Sequence, residues 1–139
     1  MTSAFPIRSL IYTSDARPEL HSADLDRIHA TAVSLNALDG ITGLLVFNGS
    51  GFLQIIEGSG EAIADLVGRL RRDPRHTNFW VRADAIVSAK SFPDWSMELV
   101  KVSVGRFQAR EDLESLLPAG VLDAIRPKLI DALDEISAP

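Results

Sequence analysis

The amino-acid sequence predicts an α+β fold: a sheet with two helices on one face, followed by C-terminal helices. With 139 residues, 46% of them apolar, the chain is long enough for one buried core. Segments with strand spacing and segments with helical spacing follow each other in the order β-α-β-β-α-β-β. We therefore divide the chain into a sheet domain, residues 1–105, and a helical extension, residues 106–139.

The first strand is expected over residues 7–13, which are rich in β-branched and aromatic types. Strand alternation places Leu10, Tyr12 and Ser14 on one face of it. The first helix is expected over residues 23–36, after a polar segment that offers an N-cap. Its apolar stripe, at helical spacing, consists of Leu25, Ile28, Ala32 and Leu35.

A β-hairpin is expected after the first helix. Two apolar runs, residues 41–48 and 52–57, are separated by Asn48-Gly49-Ser50-Gly51, a composition typical of tight turns. The second helix is expected over residues 60–72, and Pro74 ends it because a proline cannot continue a helix. Its stripe consists of Ile63, Leu66, Val67 and Leu70.

Two further strands are expected, over residues 79–88 and 96–104. The first six elements match the ferredoxin-like split βαβ pattern, in which both helices cover one face of the sheet. The other face must then meet water, a partner or the C-terminal segment.

In the C-terminal segment, one short helix is expected to end before Pro118, and a second helical stretch is expected over residues 122–136. Because Pro127 lies inside that second stretch, we expect either a kink there or two short helices, with Pro127 in a first turn. The apolar residues of the two stripes are Leu113, Leu116, Leu117, Leu122, Ile125, Leu129, Leu133 and Ile136. One segment is not expected to bury all of these and also cover the open sheet face, so we predict a homo-oligomer.

The composition argues against several classes of function. Asp and Glu outnumber Lys and Arg by 19 to 14, so a nucleic-acid partner is not expected. No segment approaches the roughly 18 apolar residues of a membrane span, and residues 1–6 lack the pattern of a signal peptide, so we expect no membrane partner and a cytoplasmic protein. The chain has no cysteine, and His21 and His29 have no third ligand, so no metal is expected.

Four polar residues fall in segments that otherwise have the composition of a core. Gln54 lies in an apolar strand on the same face as Phe52, Tyr12 and Ser14 share a face of the first strand, and Asn36 ends the first helical stripe. A buried amide costs roughly 1–3 kcal/mol unless its hydrogen bonds are made. The four side chains thus indicate a pocket for a planar ligand with polar edges. The alternative is that Tyr12 bonds Gln54 and Asn36 caps its own helix.

Two other pairs have ordinary structural explanations. Trp95 and Met97 are expected to share one face of the fifth strand, where plain core packing accounts for both. Arg75 and His76 follow the second helix, and such a pair is usually part of a solvated turn. Neither pair indicates a function by itself.

Six motifs occur in order along residues 6–104, and together they resemble the BLUF family, blue-light sensors that use FAD. Any one motif is weak, but six in register are specific. The motifs are Tyr12-Thr13-Ser14, Asn36, Gly40-Ile41-Thr42-Gly43-Leu44-Leu45, Phe52-Leu53-Gln54-Ile55-Ile56-Glu57-Gly58, Asp73-Pro74-Arg75-His76 and Phe92-Pro93-Asp94-Trp95-Ser96-Met97.

The resemblance implies roles for individual residues. Tyr12 matches the photoactive tyrosine, and Gln54 matches the switching glutamine between that tyrosine and the flavin. Asn36 matches the asparagine that holds the polar edge of the flavin ring, and Trp95 and Met97 match a mobile pair on the last strand. The remaining flavin contacts are expected from Ser14, Ile28, Leu70, Arg75 and His76.

The chemistry implied by the resemblance is a light-driven switch. A phenol donates an electron and a proton to excited flavin, and Gln54 can relay the proton because an amide both donates and accepts. The flavin ends chemically unchanged, so we expect no enzyme activity. Since 139 residues leave no room for an output domain, we expect signalling to a separate partner protein. Two alternatives stay open: a flavin-free ferredoxin-like dimerisation or regulatory module, and a small flavoenzyme.

Overall fold

The computed structural model describes residues 6–17, 22–74 and 76–138, without the side chains of Ser22, Leu35 and His76. Within these residues, nine elements follow each other in the predicted order. They are β1 (Ile7–Ala16), α1 (Ser22–Asp39), β2 (Thr42–Phe47), β3 (Gly51–Ser59), α2 (Gly60–Arg71), β4 (His76–Val87), β5 (Ser96–Lys101), α3 (Arg106–Glu114) and α4 (Arg126–Ile136).

The five strands form one sheet in the order β4-β1-β3-β2-β5. The pairs β1–β3, β1–β4 and β2–β3 are antiparallel, whereas β5 runs parallel to β2. The four strands β4-β1-β3-β2 with α1 and α2 form the ferredoxin-like unit, which confirms the predicted fold class. No helix in the described part of the chain combines the length and the apolarity needed to cross a membrane.

The sheet separates two hydrophobic cores because successive strand residues point to opposite faces. On the α1 and α2 side, the core includes Leu10 and Tyr12 of β1 and Met97 of β5. On the opposite side, it includes Ile11 of β1 and Leu53 of β3 together with residues of α3 and α4. The central strand β3 is buried on both faces over almost its whole length.

The C-terminal helices cover the sheet face opposite α1 and α2. Helix α4 packs on β1, β3 and β4, and α3 packs on α4. Pro127 lies in the first turn of α4, as predicted, because its missing N–H costs nothing there. Two residues of the predicted helical stripe lie before α4: Leu122 precedes the helix, and Ile125 is its N-cap.

One expectation about β5 is wrong: Trp95 and Met97 do not share a face. Met97 has φ 85° and forms a bulge, since Ser96 and Glu98 pair with adjacent residues of β2. This extra residue breaks the alternation on which the prediction depended. Trp95 packs on Phe92, with ring centroids 5.4 Å apart, on the α3 and α4 side, whereas Met97 is fully buried on the other side. The strand also ends at Lys101, short of the predicted residue 104.

Candidate functional site

A cavity of about 140 Å³ opens between α1 and α2 above the middle of the sheet. Its floor is formed by strand residues and its walls by the two helices. Six of the predicted site residues line it: Tyr12, Ser14, Ile28, Asn36, Gln54 and Leu70. The other lining residues are Thr31, Ala32, Leu45, Phe52, Leu66, Arg69 and Asp73.

Gln54 is the centre of a buried hydrogen-bond chain on the floor of this cavity. It lies directly opposite Tyr12 in the antiparallel β1–β3 register, so the two side chains are neighbours on one face. The Tyr12 hydroxyl donates a hydrogen bond to Oε1 of Gln54. The Gln54 amide donates through Nε2 to the Met97 sulfur at 3.0 Å. One amide therefore connects β1, β3 and β5.

The environment of Tyr12 keeps its phenol protonated. Burial raises the pKa of Tyr12 well above its usual range, and the nearby Asp73 carboxylate adds to that shift. The Phe79 ring stacks on the tyrosine ring, with centroids 4.4 Å apart. Tyr12 is thus a neutral phenol with its proton directed at an amide oxygen.

Asn36 and Ser14 are buried polar residues whose hydrogen-bonding groups are unmatched among the described residues. The side chain of Asn36 is 1% exposed, and neither Nδ2 nor Oδ1 has a hydrogen-bond partner there; the same holds for the Ser14 hydroxyl. Such groups cost about 1–3 kcal/mol each unless something binds them. Because these groups line the cavity, they fit a ligand that carries both donors and acceptors.

The backbone at the end of α1 explains why Asn36 is held in place. Its carbonyl accepts from the Ile41 N–H at 2.8 Å, and Gly40 has φ 70°, a left-handed conformation that glycine adopts at low cost. The side chain does not cap the helix. The alternative was that the polar residues satisfy one another. The bond between Tyr12 and Gln54 is present, but the Asn36 side chain has no partner among the described residues.

Three polar residues that line the cavity were not predicted. Thr31 follows Ile28 by three positions on α1, and Arg69 follows Leu66 by three positions on α2, so helical spacing alone could have found both. Asp73 lies just beyond α2. The guanidinium of Arg69 contacts the Asp39 carboxylate at 3.3 Å, which limits where the guanidinium can lie.

Three predicted site residues have other outcomes. Trp95 lies on the opposite face of the sheet and does not line the cavity. Arg75 and the side chain of His76 lie outside the described residues, so their flavin contacts stay predictions.

Glu57 is a buried residue whose role was not predicted from the sequence. Its carboxylate is fully buried and accepts from the backbone N–H groups of Ser91, at 3.1 Å, and Phe92, at 2.8 Å. The Ser91 hydroxyl in turn accepts from the Leu122 N–H at 3.1 Å. These bonds tie the loop before β5 both to β3 and to the segment between α3 and α4. A carboxylate within an apolar strand was the signal available in the sequence.

Comparison with known proteins identifies the family of this fold and site. The family model described as BLUF, sensors of blue-light using FAD, matches residues 7–98. Over 92 residues the chain is 34% identical to "Photoactivated adenylate cyclase subunit beta" of Euglena gracilis. That alignment covers 66% of this chain but 11% of the cyclase subunit, so the similarity concerns one region of a much longer protein.

Two solved structures resemble almost the whole chain. "BlrP1 BLUF" has a TM-score of 0.80 at 28% identity and covers 98% of this chain and 93% of its own. "BlrB - a BLUF protein, dark state structure" has a TM-score of 0.72 at 32% identity and covers 96% of both chains. On the family match, the shared fold and the glutamine-centred cavity, this chain belongs to the BLUF family of blue-light sensors.

Proposed function

We propose that this chain is a blue-light photoreceptor that binds FAD noncovalently between α1 and α2 and signals through the hydrogen bonds of Gln54. The observation that carries the proposal is the chain from Tyr12 through Gln54 to Met97, at a cavity that Asn36 also lines. The family description, which names blue light and FAD, supports it.

The residues present fit a flavin. The unmatched amide of Asn36 and hydroxyl of Ser14 offer donors and acceptors to the polar edge of such a ring, and Ile28 and Leu70 offer apolar walls. When bound, the flavin supplies the absorption of blue light and an oxidising excited state. The Arg69 guanidinium, which also lines the cavity, offers a positive charge to the phosphates of a dinucleotide.

Gln54 can act as a switch because its amide both donates and accepts hydrogen bonds. Tyr12 holds a proton at its hydroxyl, directed at Oε1, and an amide can accept that proton or turn about its terminal bond. Either change alters the groups that Gln54 presents to Tyr12 and to Met97. If the amide turns, Oε1 replaces Nε2–H beside the Met97 sulfur and that hydrogen bond is lost, so a local change would reach β5.

The output of the switch is proposed to be a separate partner protein, and the chain is proposed to turn over no substrate. The route that supports this runs from the β4–β5 loop to the C-terminal helices through the bond between Ser91 and Leu122. We take the side chain of Phe107 on α3, which is 79% exposed, as a candidate contact for that partner. A cytoplasmic location stays a prediction.

The argument from which a homo-oligomer was predicted no longer holds. It depended on an apolar sheet face that one segment could not cover, but α3 and α4 cover that face, with Leu113, Leu129 and Leu133 buried. Self-association stays a prediction, and it would need a different surface.

Absorption spectra of the purified protein in darkness and under blue light test the proposal. The protein should be yellow and release FAD on denaturation, and its flavin bands should shift slightly to the red in light and return in darkness. A colourless protein that takes up no added FAD would favour the flavin-free module. Persistent bleaching of the flavin bands under light alone would favour the flavoenzyme, and released FMN would correct the identity of the cofactor.

A further inference from the structure

Met97 has a backbone conformation that its neighbours must maintain. Its φ of 85° is in the left-handed region, which residues with a side chain rarely adopt. The space around it is tight: a Cβ added at Gly43, on the neighbouring strand, would overlap the Ile55 carbonyl oxygen and lie 3.3 Å from the Met97 methyl carbon. The position of the sulfur beside Gln54 therefore depends on contacts that hold this bulge.

His29 makes one of those contacts from α1. Its Nε2 lies 2.8 Å from the backbone carbonyl oxygen of Met97. Because a carbonyl oxygen only accepts hydrogen bonds, Nε2 must carry a hydrogen in this arrangement. The ring is half-buried, and His29 follows Ile28, which lines the cavity. The bond thus joins the helix of the candidate flavin site to the bulge of β5.

We propose that His29 is a positioning residue for the photoswitch: its Nε2–H holds the Met97 carbonyl and so keeps the Met97 sulfur against the Gln54 amide. The inference rests on the proposed function. Because the bond stabilises the arrangement seen here, its loss makes return to that arrangement less favourable. His29 should therefore influence how quickly the protein recovers after light.

Two substitutions of His29 separate its hydrogen bond from its bulk. Leucine at this position fills a similar space and cannot donate, whereas glutamine carries an N–H donor at the same distance along the side chain. We expect His29→Leu to slow dark recovery by about threefold to tenfold, the size of effect expected from one hydrogen bond. His29→Gln should recover at nearly the normal rate. Ala30→Leu, at the exposed neighbouring position, is the control and should change nothing.

A measurement in darkness tests the same inference without the photocycle. The chain has 2 methionines, so ¹³C-methyl labelling of the flavin-bound protein gives two signals, and Met97→Leu assigns one of them. The Met97 signal should move in His29→Leu and keep its place in His29→Gln. In ¹⁵N spectra of the unsubstituted protein, Nε2 of His29 should be the protonated nitrogen.

The outcomes are distinguishable. If the Met97 signal and the recovery rate are both unchanged in His29→Leu, the proposed role of His29 is overturned. The proposed function stays intact in that case, because the photocycle is normal. If His29→Leu does not fold, the tautomer and the His29→Gln variant still decide. Protonation at Nδ1 alone, or a His29→Gln protein that recovers slowly and shows a shifted Met97 signal, also overturns the inference. If the unsubstituted protein shows no light response but the Met97 signal is displaced in His29→Leu, the positioning role of His29 is supported and the photoreceptor proposal is overturned.

Discussion

Tyr12 is the single tyrosine of the chain, which makes its protonation state directly measurable. Because burial raises its pKa, the folded protein retains a phenol proton that the unfolded chain releases near pH 10. The contribution of this group to stability is therefore fully present below about pH 10 and declines as pH rises from there towards the folded pKa. The ¹³Cζ resonance of labelled tyrosine in the flavin-bound protein should stay at its neutral position at pH 10.5, where the unfolded chain titrates. A phenolate signal in the folded protein near pH 10 would contradict the buried environment.

The hydrogen bonds of Gln54 give a second prediction at the residue scale. Gln54→Leu keeps most of the side-chain volume and removes both polar ends, and Tyr12→Phe removes the hydroxyl alone. Each variant should keep bound flavin and lose the red-shifted lit spectrum, because one partner of the buried pair is missing. Gln108→Leu, the same change on the exposed surface of α3, is the control. A normal light response in Gln54→Leu would remove that residue from the switch.

The polar residues on the floor of the cavity could be predicted from the sequence because each interrupts an apolar pattern. Gln54 interrupts an apolar strand, and Tyr12 and Ser14 place hydroxyls on a core-facing side. The faces of Trp95 and Met97 could not be predicted, because a bulge shifts the alternation by one residue and depends on pairing with β2.

At the scale of elements, the sequence predicts the order of helices and strands better than their ends. Helix α1 continues to Asp39, three residues past the predicted end, because the closing glycine is at position 40. β4 begins at His76, ahead of the predicted residue 79, because pairing with β1 extends it. Such extensions come from tertiary partners, which local composition does not contain.

Glu57 provides a prediction about how elements are joined. Glu57→Gln replaces one accepting oxygen by an NH₂ group that faces a backbone N–H, so one donor of the β4–β5 loop loses its partner. We expect the free energy of unfolding to fall by about 1–3 kcal/mol, measured by denaturant titration. Glu98→Gln, an exposed change on β5, is the control. A loss below about 0.5 kcal/mol would be typical of a surface position and would contradict the role of this carboxylate.

At the scale of the whole molecule, the C-terminal helices complete the second core. A chain ending at Gly105 would expose the apolar face that includes Ile11, Leu53 and Ile55. We expect it to self-associate, with a higher mass by light scattering than the full chain at equal concentration. As a milder change, Leu133→Ala within the intact chain should lower the free energy of unfolding by about 2–5 kcal/mol. A truncated chain that stays soluble at the same mass and keeps its photocycle would show that these helices do not act as a cover.

The position of β5 at the end of the sheet determines where the fold can open. This strand has six residues, pairs with β2 on one side, and its pairing is interrupted at the Met97 bulge. The central strands β1 and β3 each pair on both sides. Local unfolding should thus release β5 at a lower free-energy cost than β1 or β3, and its amide hydrogens should exchange with deuterium sooner. The segment that carries the switch methionine can then detach transiently while the strands that hold Tyr12 and Gln54 stay folded.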